Sequence, residues 1–98
     1  MDYKVSWSFE SISDLEDITE YISRDSPYYA SSFAQEILDA GDSLKIFPKR
    51  GRVVPEINNE KVRELFIKEY RLIYKIQEKE VNILGVVHGK RDLERLLT

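Results

Sequence analysis

The sequence predicts an α+β domain: an N-terminal strand, an α-helical hairpin, then a three-stranded antiparallel meander, with the helices packed on one face of a four-stranded sheet. Three observations predict it. An alternating apolar segment opens the chain, two amphipathic helical stretches follow, and three strand-like runs joined by tight charged turns complete the pattern. Three successive antiparallel strands need one face covered, and the helix pair is the only cover available. The first strand must join the same sheet for its backbone groups to be satisfied.

Tyr3, Val5 and Trp7 alternate with polar residues, as a half-buried strand requires. Ser8 is placed to cap a helix, and Asp14, Glu16 and Asp17 load its N-terminal part with favourable negative charge. Ile12, Leu15, Ile18 and Ile22 recur at helical spacing as its expected buried stripe, and the helix ends near Arg24 or Asp25. Ser26-Pro27 opens the second helix, with serine as cap and proline in the first turn, where its missing N–H costs nothing. Ala30, Phe33, Ile37 and Leu44 mark its buried stripe, with Ala40 or Gly41 between them. A glycine inside a helix costs about 1 kcal/mol against alanine, so Gly41 points to the close approach of a neighbouring segment. Phe47-Pro48 is the expected end of the helix.

Residues 48–60, PKRGRVVPEINNE, contain two prolines, a glycine and two asparagines, and read as loop. Segments 61–67, 70–77 and 80–88 read as strands, with turns at Lys68-Glu69 and Glu78-Lys79. The last segment, RDLERLLT, is expected to form a short helical turn or a tail lying on the sheet.

The 98 residues predict one domain spanning 1–98, large enough to bury roughly two-thirds of its unfolded surface. A composition of 42% hydrophobic and 34% charged residues is that of a globular protein. Cysteine is absent and histidine occurs once, which removes thiolate and histidine metal sites from consideration; no cofactor is expected. MDYKVSWSFE lacks the basic-then-apolar run of a secretory signal, and no apolar stretch has the length of a membrane span, so a cytoplasmic location is expected.

The net charge is −3, unevenly spread. Residues 1–44 hold two cations against ten acids, a balance of −8, and residues 45–98 hold thirteen against eight, a balance of +5. Such asymmetry points to a polar partner or to self-complementary packing, including a homodimer, and equally to two halves that neutralise each other within one fold.

In the strand 70–76, Leu72, Tyr74 and Ile76 share one face while Arg71, Ile73 and Lys75 share the other. The first face should meet the helices, leaving Arg71 and Lys75 on an open, cationic side. Arg63 shares parity with Leu65 and Ile67 and is expected to form a structural ion pair at the core edge. His88 closes the last strand, where a histidine serves as a hydrogen-bonded terminus or as a proton carrier. Glu56 could act as a base beside it if its loop folds over the sheet. Lys90 and Arg91 extend the cationic set. No phosphate loop, nucleophile elbow or metal-ligand spacing is present.

SDLEDITEYI at 13–22, SPYYASSFAQEI at 26–37, LKIFPKRGRVVPE at 44–56, RELFIKEYRLIYKI at 63–76 and VNILGVVHGKRDL at 81–93 together resemble the RelE/ParE superfamily of toxins from type II toxin–antitoxin modules. The resemblance covers nearly the whole chain. It implies the same fold and a small antitoxin whose C-terminal segment wraps and blocks the toxin. RelE-like members cut mRNA on the ribosome, whereas ParE-like members inhibit DNA gyrase by binding. The ending Val87-His88-Gly89-Lys90-Arg91-Asp92-Leu93 looks ParE-like, and Gly89 stands where some mRNA-cutting relatives have tyrosine. A net charge of −3 also suits an RNA-gripping protein poorly, because phosphate contacts need clustered cations. The alternative is that Glu56, Arg71 and His88 match a glutamate, an arginine and a histidine of one mRNA-cutting branch, as base, phosphate-binding cation and acid. A further alternative is an inactive member that only binds antitoxin. For contact with target or antitoxin, the resemblance and the charge pattern nominate Arg63, Arg71, Lys75, Lys90 and Arg91.

Overall fold

A computed structural model of the chain describes residues 2–90 and Leu93. The described elements are β1 (Lys4–Trp7), α1 (Phe9–Ser23), α2 (Pro27–Ser43), β2 (Arg52–Val53), β3 (Val62–Ile67), β4 (Tyr70–Gln77) and β5 (Glu80–His88). They form one sheet in the order β1-β5-β4-β3-β2. The meander β3-β4-β5 and the helical hairpin match the sequence expectation, and β1 joins as a parallel edge beside β5. The strand count needs correction. The segment expected to be loop contributes the two-residue strand β2, which pairs with β3 and makes the sheet five-stranded.

Both helix starts follow from their caps. The Ser8 hydroxyl accepts from the Ser11 N–H, and the Ser26 hydroxyl accepts from the Tyr29 N–H with Pro27 opening the first turn. Phe33, Ile37 and Leu44 pack against Leu72, Tyr74, Val81, Ile83 and Val86 to form the main core. α2 stops at Ser43, a few residues before Phe47-Pro48, and both Ile46 and Phe47 are exposed.

The buried stripe of α1 is rotated from the expected one. Leu15, Ile18 and Ile22 pack on the core, but Ile12 is 47% exposed and Ser11 is fully buried in its place. The cause is the edge of β5 beyond the end of β1. There the Ser8 N–H donates to the Ile83 carbonyl, the Ser8 hydroxyl to the Leu84 carbonyl, and the Val86 N–H to the Asp14 carboxylate. Unpaired backbone groups at a buried edge are costly, so the helix turns its polar Ser8, Ser11 and Asp14 side toward them.

A β-bulge divides β5 into two parities. Ile73 is paired with Gly85 and Tyr74 with Ile83, leaving Leu84 as the extra residue. Val81, Ile83 and Val86 therefore all reach the helix side, while Val87 falls on the opposite side. That opposite side is not open, contrary to expectation. Val54, Val62, Ile73, Val87 and Leu93 form a second core there, with Ile57 and Leu84 against it. Apart from Leu93, the final RDLERLLT segment lies outside the described residues.

Gly41 permits a close approach, as its helical position implied: a methyl group there would come within 2.6 Å of Trp7 Cζ2. Alanine would gain about 1 kcal/mol of helix propensity but overpack a tryptophan, which costs about 1–3 kcal/mol. Gly41→Ala is expected to lower the thermal midpoint, and the drop it causes should be smaller in a Trp7→Leu background. A rise in midpoint for the single variant would contradict this packing.

Candidate functional site

The second core is threaded by charge. Register places Arg52 opposite Glu64 and Glu64 opposite Ile73, and places Phe66 opposite Arg71 and Arg71 opposite Val87. Glu64 and Arg71 are thus diagonal neighbours on one face, within reach of long side chains. Arg71 is 3% exposed and Glu64 1% exposed. Arg71 Nη1 donates to Glu64 Oε1 at 3.0 Å, and the Nε of Arg52 reaches Glu64 Oε2. From the turn after Pro55, Glu56 brings a carboxylate onto the same guanidinium: Arg71 Nη1 lies 3.1 Å from Glu56 Oε1 and Nη2 lies 3.0 Å from Oε2. A bidentate fork of this kind is among the stronger charge-assisted contacts. The order Arg52–Glu64–Arg71–Glu56 alternates in sign and sums to zero.

The electrostatic consequences follow from that fork. Hydrogen bonding from Arg71 holds the Glu56 carboxyl below its ordinary value of 4.5. The same contact, with Glu64 adding to it, raises the Arg71 guanidinium further above its ordinary range. Arg71 is therefore not on an open surface, which corrects the sequence expectation. A buried guanidinium is tolerable only beside its carboxylates, and among the described residues Glu64 and Glu56 supply them.

Arg63 also departs from expectation. Among the described residues it has no ion-pair partner: its Nε donates to the Glu60 carbonyl at 3.0 Å and its Nη1 to the Gly51 carbonyl at 2.9 Å. The buried Tyr74 hydroxyl donates to the Pro48 carbonyl at 2.7 Å and accepts from the Gly51 N–H at 3.0 Å. Burial pushes this phenol upward from its ordinary value. Gly51 admits no side chain, since a methyl group would meet both the Glu64 carbonyl and the Tyr74 hydroxyl at 2.6 Å. Together these contacts fix residues 48–53, which holds Arg52 against Glu64.

His88 does not join Glu56 and Arg71. It is paired with Tyr70, whose ring packs on Phe33 under the helices, whereas Arg71 is paired with Val87 of the second core. Side chains alternate along a strand, so the sheet stands between His88 and the Arg71–Glu56 pair. The imidazole meets the Tyr70 ring edge-on at 5.5 Å, its Nε2 lies 3.7 Å from Glu69 Oε2, and its Nδ1 accepts from the Lys90 N–H. Lys75 lies on the Arg71 side, opposite Asn82 and Val62, and is partly exposed. Lys90 is exposed at the end of β5, and Arg91 lies outside the described residues.

Phe66 completes the surface. It is 53% exposed beside the Arg71 row, and the Arg52 guanidinium sits 5.1 Å from its ring centre. Sequence reasoning missed Arg52, Glu64 and Phe66. The register could have found Glu64, because a two-residue turn at Lys68-Glu69 fixes it diagonal to Arg71. Among the described residues, no group of three or more potential metal-ligating side chains occurs, and no helix is long and apolar enough to cross a membrane.

A family model described as the ParE toxin of the type II toxin–antitoxin system parDE matches residues 5–93. This chain belongs to the ParE toxin family. Toxin RelE2 of Caulobacter vibrioides is 32% identical over 89 residues, covering 90% of this chain and 97% of that protein. Among solved structures, the chromosomal ParDE toxin–antitoxin system of P. aeruginosa matches with a TM-score of 0.73 at 21% identity, over 90% of this chain and 97% of that one. The RelBE2 toxin–antitoxin complex of Mycobacterium tuberculosis matches with a TM-score of 0.64 at 20% identity, over 90% and 99%. These two likenesses share the fold of this ParE-family toxin.

Two stability predictions follow from the charge chain. Glu64→Ala removes a fully buried carboxylate from between Arg52 and Arg71, and is expected to cost about 3–5 kcal/mol in denaturant unfolding. Glu56→Gln acts at an exposed partner and should cost no more than about 1 kcal/mol. Equal losses in the two variants would contradict the asymmetry. In the pH dependence, the Glu56 contribution is fully present above its ordinary value of 4.5 and is lost as pH falls through its depressed value. Glu56→Gln should therefore flatten the acid limb of the stability curve below that pH; an unchanged limb would remove Glu56 from the account.

Proposed function

We propose that this toxin acts by binding, as an inhibitor of DNA gyrase, and that a cognate antitoxin neutralises it by covering its surface. One observation carries the binding reading: the sheet separates His88 from the Arg71–Glu56 pair. A ribose-directed cleavage needs base, acid and phosphate-binding cation around one phosphodiester. Here the candidate base is engaged by the very guanidinium that would have to bind the phosphate, and the candidate acid lies on the other face. The net charge of −3 adds to this, since nucleic-acid affinity rests on clustered cations. An antitoxin partner is supported by the two similar structures, both of toxin–antitoxin systems. A gyrase target places the protein in the cytoplasm.

The name of the Caulobacter relative, Toxin RelE2, favours a second reading, a ribosome-dependent mRNA endonuclease using Glu56, Arg71 and His88. The two readings part at His88. On the binding reading, His88→Ala leaves growth arrest on induction intact, and purified wild-type protein inhibits gyrase supercoiling at micromolar concentration. Loss of toxicity in His88→Ala, together with mRNA cleavage in a translating extract and no effect on gyrase, would replace the first reading with the second.

A further inference from the structure

The bend after α2 presents apolar side chains to water and is held in place while doing so. Ile46 is 63% and Phe47 64% exposed, although they are adjacent and closely follow the fully buried Leu44. Single hydrophobic residues scattered on a surface are ordinary; a consecutive pair on a fixed bend is not. The Phe47 N–H donates to the Ser43 carbonyl and the Arg50 N–H to the Phe47 carbonyl, which closes the bend on itself. Three parts of the sheet then hold it from outside. The Tyr3 N–H, just before β1, donates to the Lys45 carbonyl at 2.8 Å, Arg63 of β3 reaches the Gly51 carbonyl, and the Tyr74 hydroxyl of β4 donates to the Pro48 carbonyl. A buried phenol needs hydrogen-bond partners, and Tyr74 finds them at residues 48 and 51.

The flanks of the bend are cationic. Residues 43–55 contain Lys45, Lys49, Arg50 and Arg52 and no acid. Arg52 is committed to Glu64, and Lys45 lies 3.2 Å from Asp42. Lys49 and Arg50 are exposed, with Arg50 Nη1 steadied by the Ser43 hydroxyl at 2.7 Å. We propose that Ile46 and Phe47, flanked by Lys49 and Arg50, are the knob by which the toxin holds its target, entering an apolar pocket of a protein whose rim carries carboxylates. The inference rests on the reading of a toxin that acts by binding, and it names the contact. Side-chain chemistry selects a protein over a nucleic acid. Phosphates satisfy lysine and arginine, and a base can stack on phenylalanine, but neither takes an isoleucine out of water. Aromatic and arginine side chains are the groups in which interface centres are enriched. The bend is already fixed in the free chain, so little ordering entropy remains to be lost on association. Lys49 and Arg50 add electrostatic steering toward an acidic rim.

The test measures binding of the full chain to purified DNA gyrase by calorimetry and, separately, growth arrest on induction. The variants are Ile46→Ser with Phe47→Ser, Lys49→Glu with Arg50→Glu, and Tyr28→Ser as a control that removes an 86% exposed aromatic ring elsewhere. All of them change exposed side chains, so their thermal midpoints should stay close to that of the wild type. The apolar double variant is expected to weaken gyrase binding at least about tenfold. The charge-reversed double variant should weaken it severalfold at low salt and less at high salt. The control should bind as the wild type does, and an equal loss there overturns the knob. So does an apolar double variant that binds gyrase and arrests growth like the wild type. Loss of binding to a single-stranded oligoribonucleotide in the charge-reversed variant, with arrest intact in the apolar one, overturns the choice of a protein partner. A wild type that ignores gyrase, yet arrests growth only with Ile46 and Phe47 in place, supports the knob and overturns the gyrase reading. A wild type that does neither overturns both.

Discussion

A guanidinium that is 3% exposed has to be neutralised where it stands, and the side of the sheet away from the helices is arranged around that demand. Glu64 meets it from within the sheet and Glu56 from the covering turn, while Arg52 balances the second oxygen of Glu64. The Coulomb attraction inside a protein is large, but so is the cost of removing each ion from water. Such a chain is stable only as a unit: deleting an inner member strands a charge, whereas deleting an outer one exposes it to solvent. Apolar Val54, Ile73, Val87 and Leu93 pack on the same side of the sheet, where the inner pair Glu64 and Arg71 is buried.

The two faces of the sheet thus do different work. The helix side holds the larger apolar cluster, and the bulge at Leu84 keeps β5 supplying it on both sides of the irregularity. The other side holds the charge chain, a smaller apolar cluster and the half-exposed Phe66. The bulge has a functional consequence as well. It sets the parity of the end of β5, sending Val87 toward Arg71 and His88 toward Tyr70. One residue of register therefore decides whether the side chains of His88 and Arg71 share a face.

Much of the fold was legible in the sequence because its signals are local. Ser8 and Ser26-Pro27 announce the helices, Gly41 announces close packing, and the alternation in 70–77 divides Leu72 and Tyr74 from Arg71 and Ile73. What was not legible depended on distant partners. Arg52 and Val53 look like loop because the three residues between Gly51 and Pro55 are too few to carry strand periodicity; only pairing with β3 makes Arg52 and Val53 a strand. Ile12 reads as buried until the unpaired edge of β5 requires Ser11 and Asp14 instead. Arg71 reads as open because parity gives a face and not what covers it, and the cover comes from residues 54–57 and Leu93. Arg63 shares the parity of the apolar residues and looks like an ion-pair member, yet the nearest acceptors are carbonyls of a loop folded back by Tyr74.

Arg71 is bound tightly within the fold by Glu64 and more weakly, at the surface, by the half-exposed Glu56. Double-mutant cycles on unfolding free energy measure this directly, one pairing Arg71→Met with Glu64→Gln and the other pairing Arg71→Met with Glu56→Gln. A coupling of at least about 2 kcal/mol is expected for the Arg71–Glu64 cycle and one below about 1 kcal/mol for the Arg71–Glu56 cycle. Couplings of equal size, or a larger one for Glu56, would contradict it.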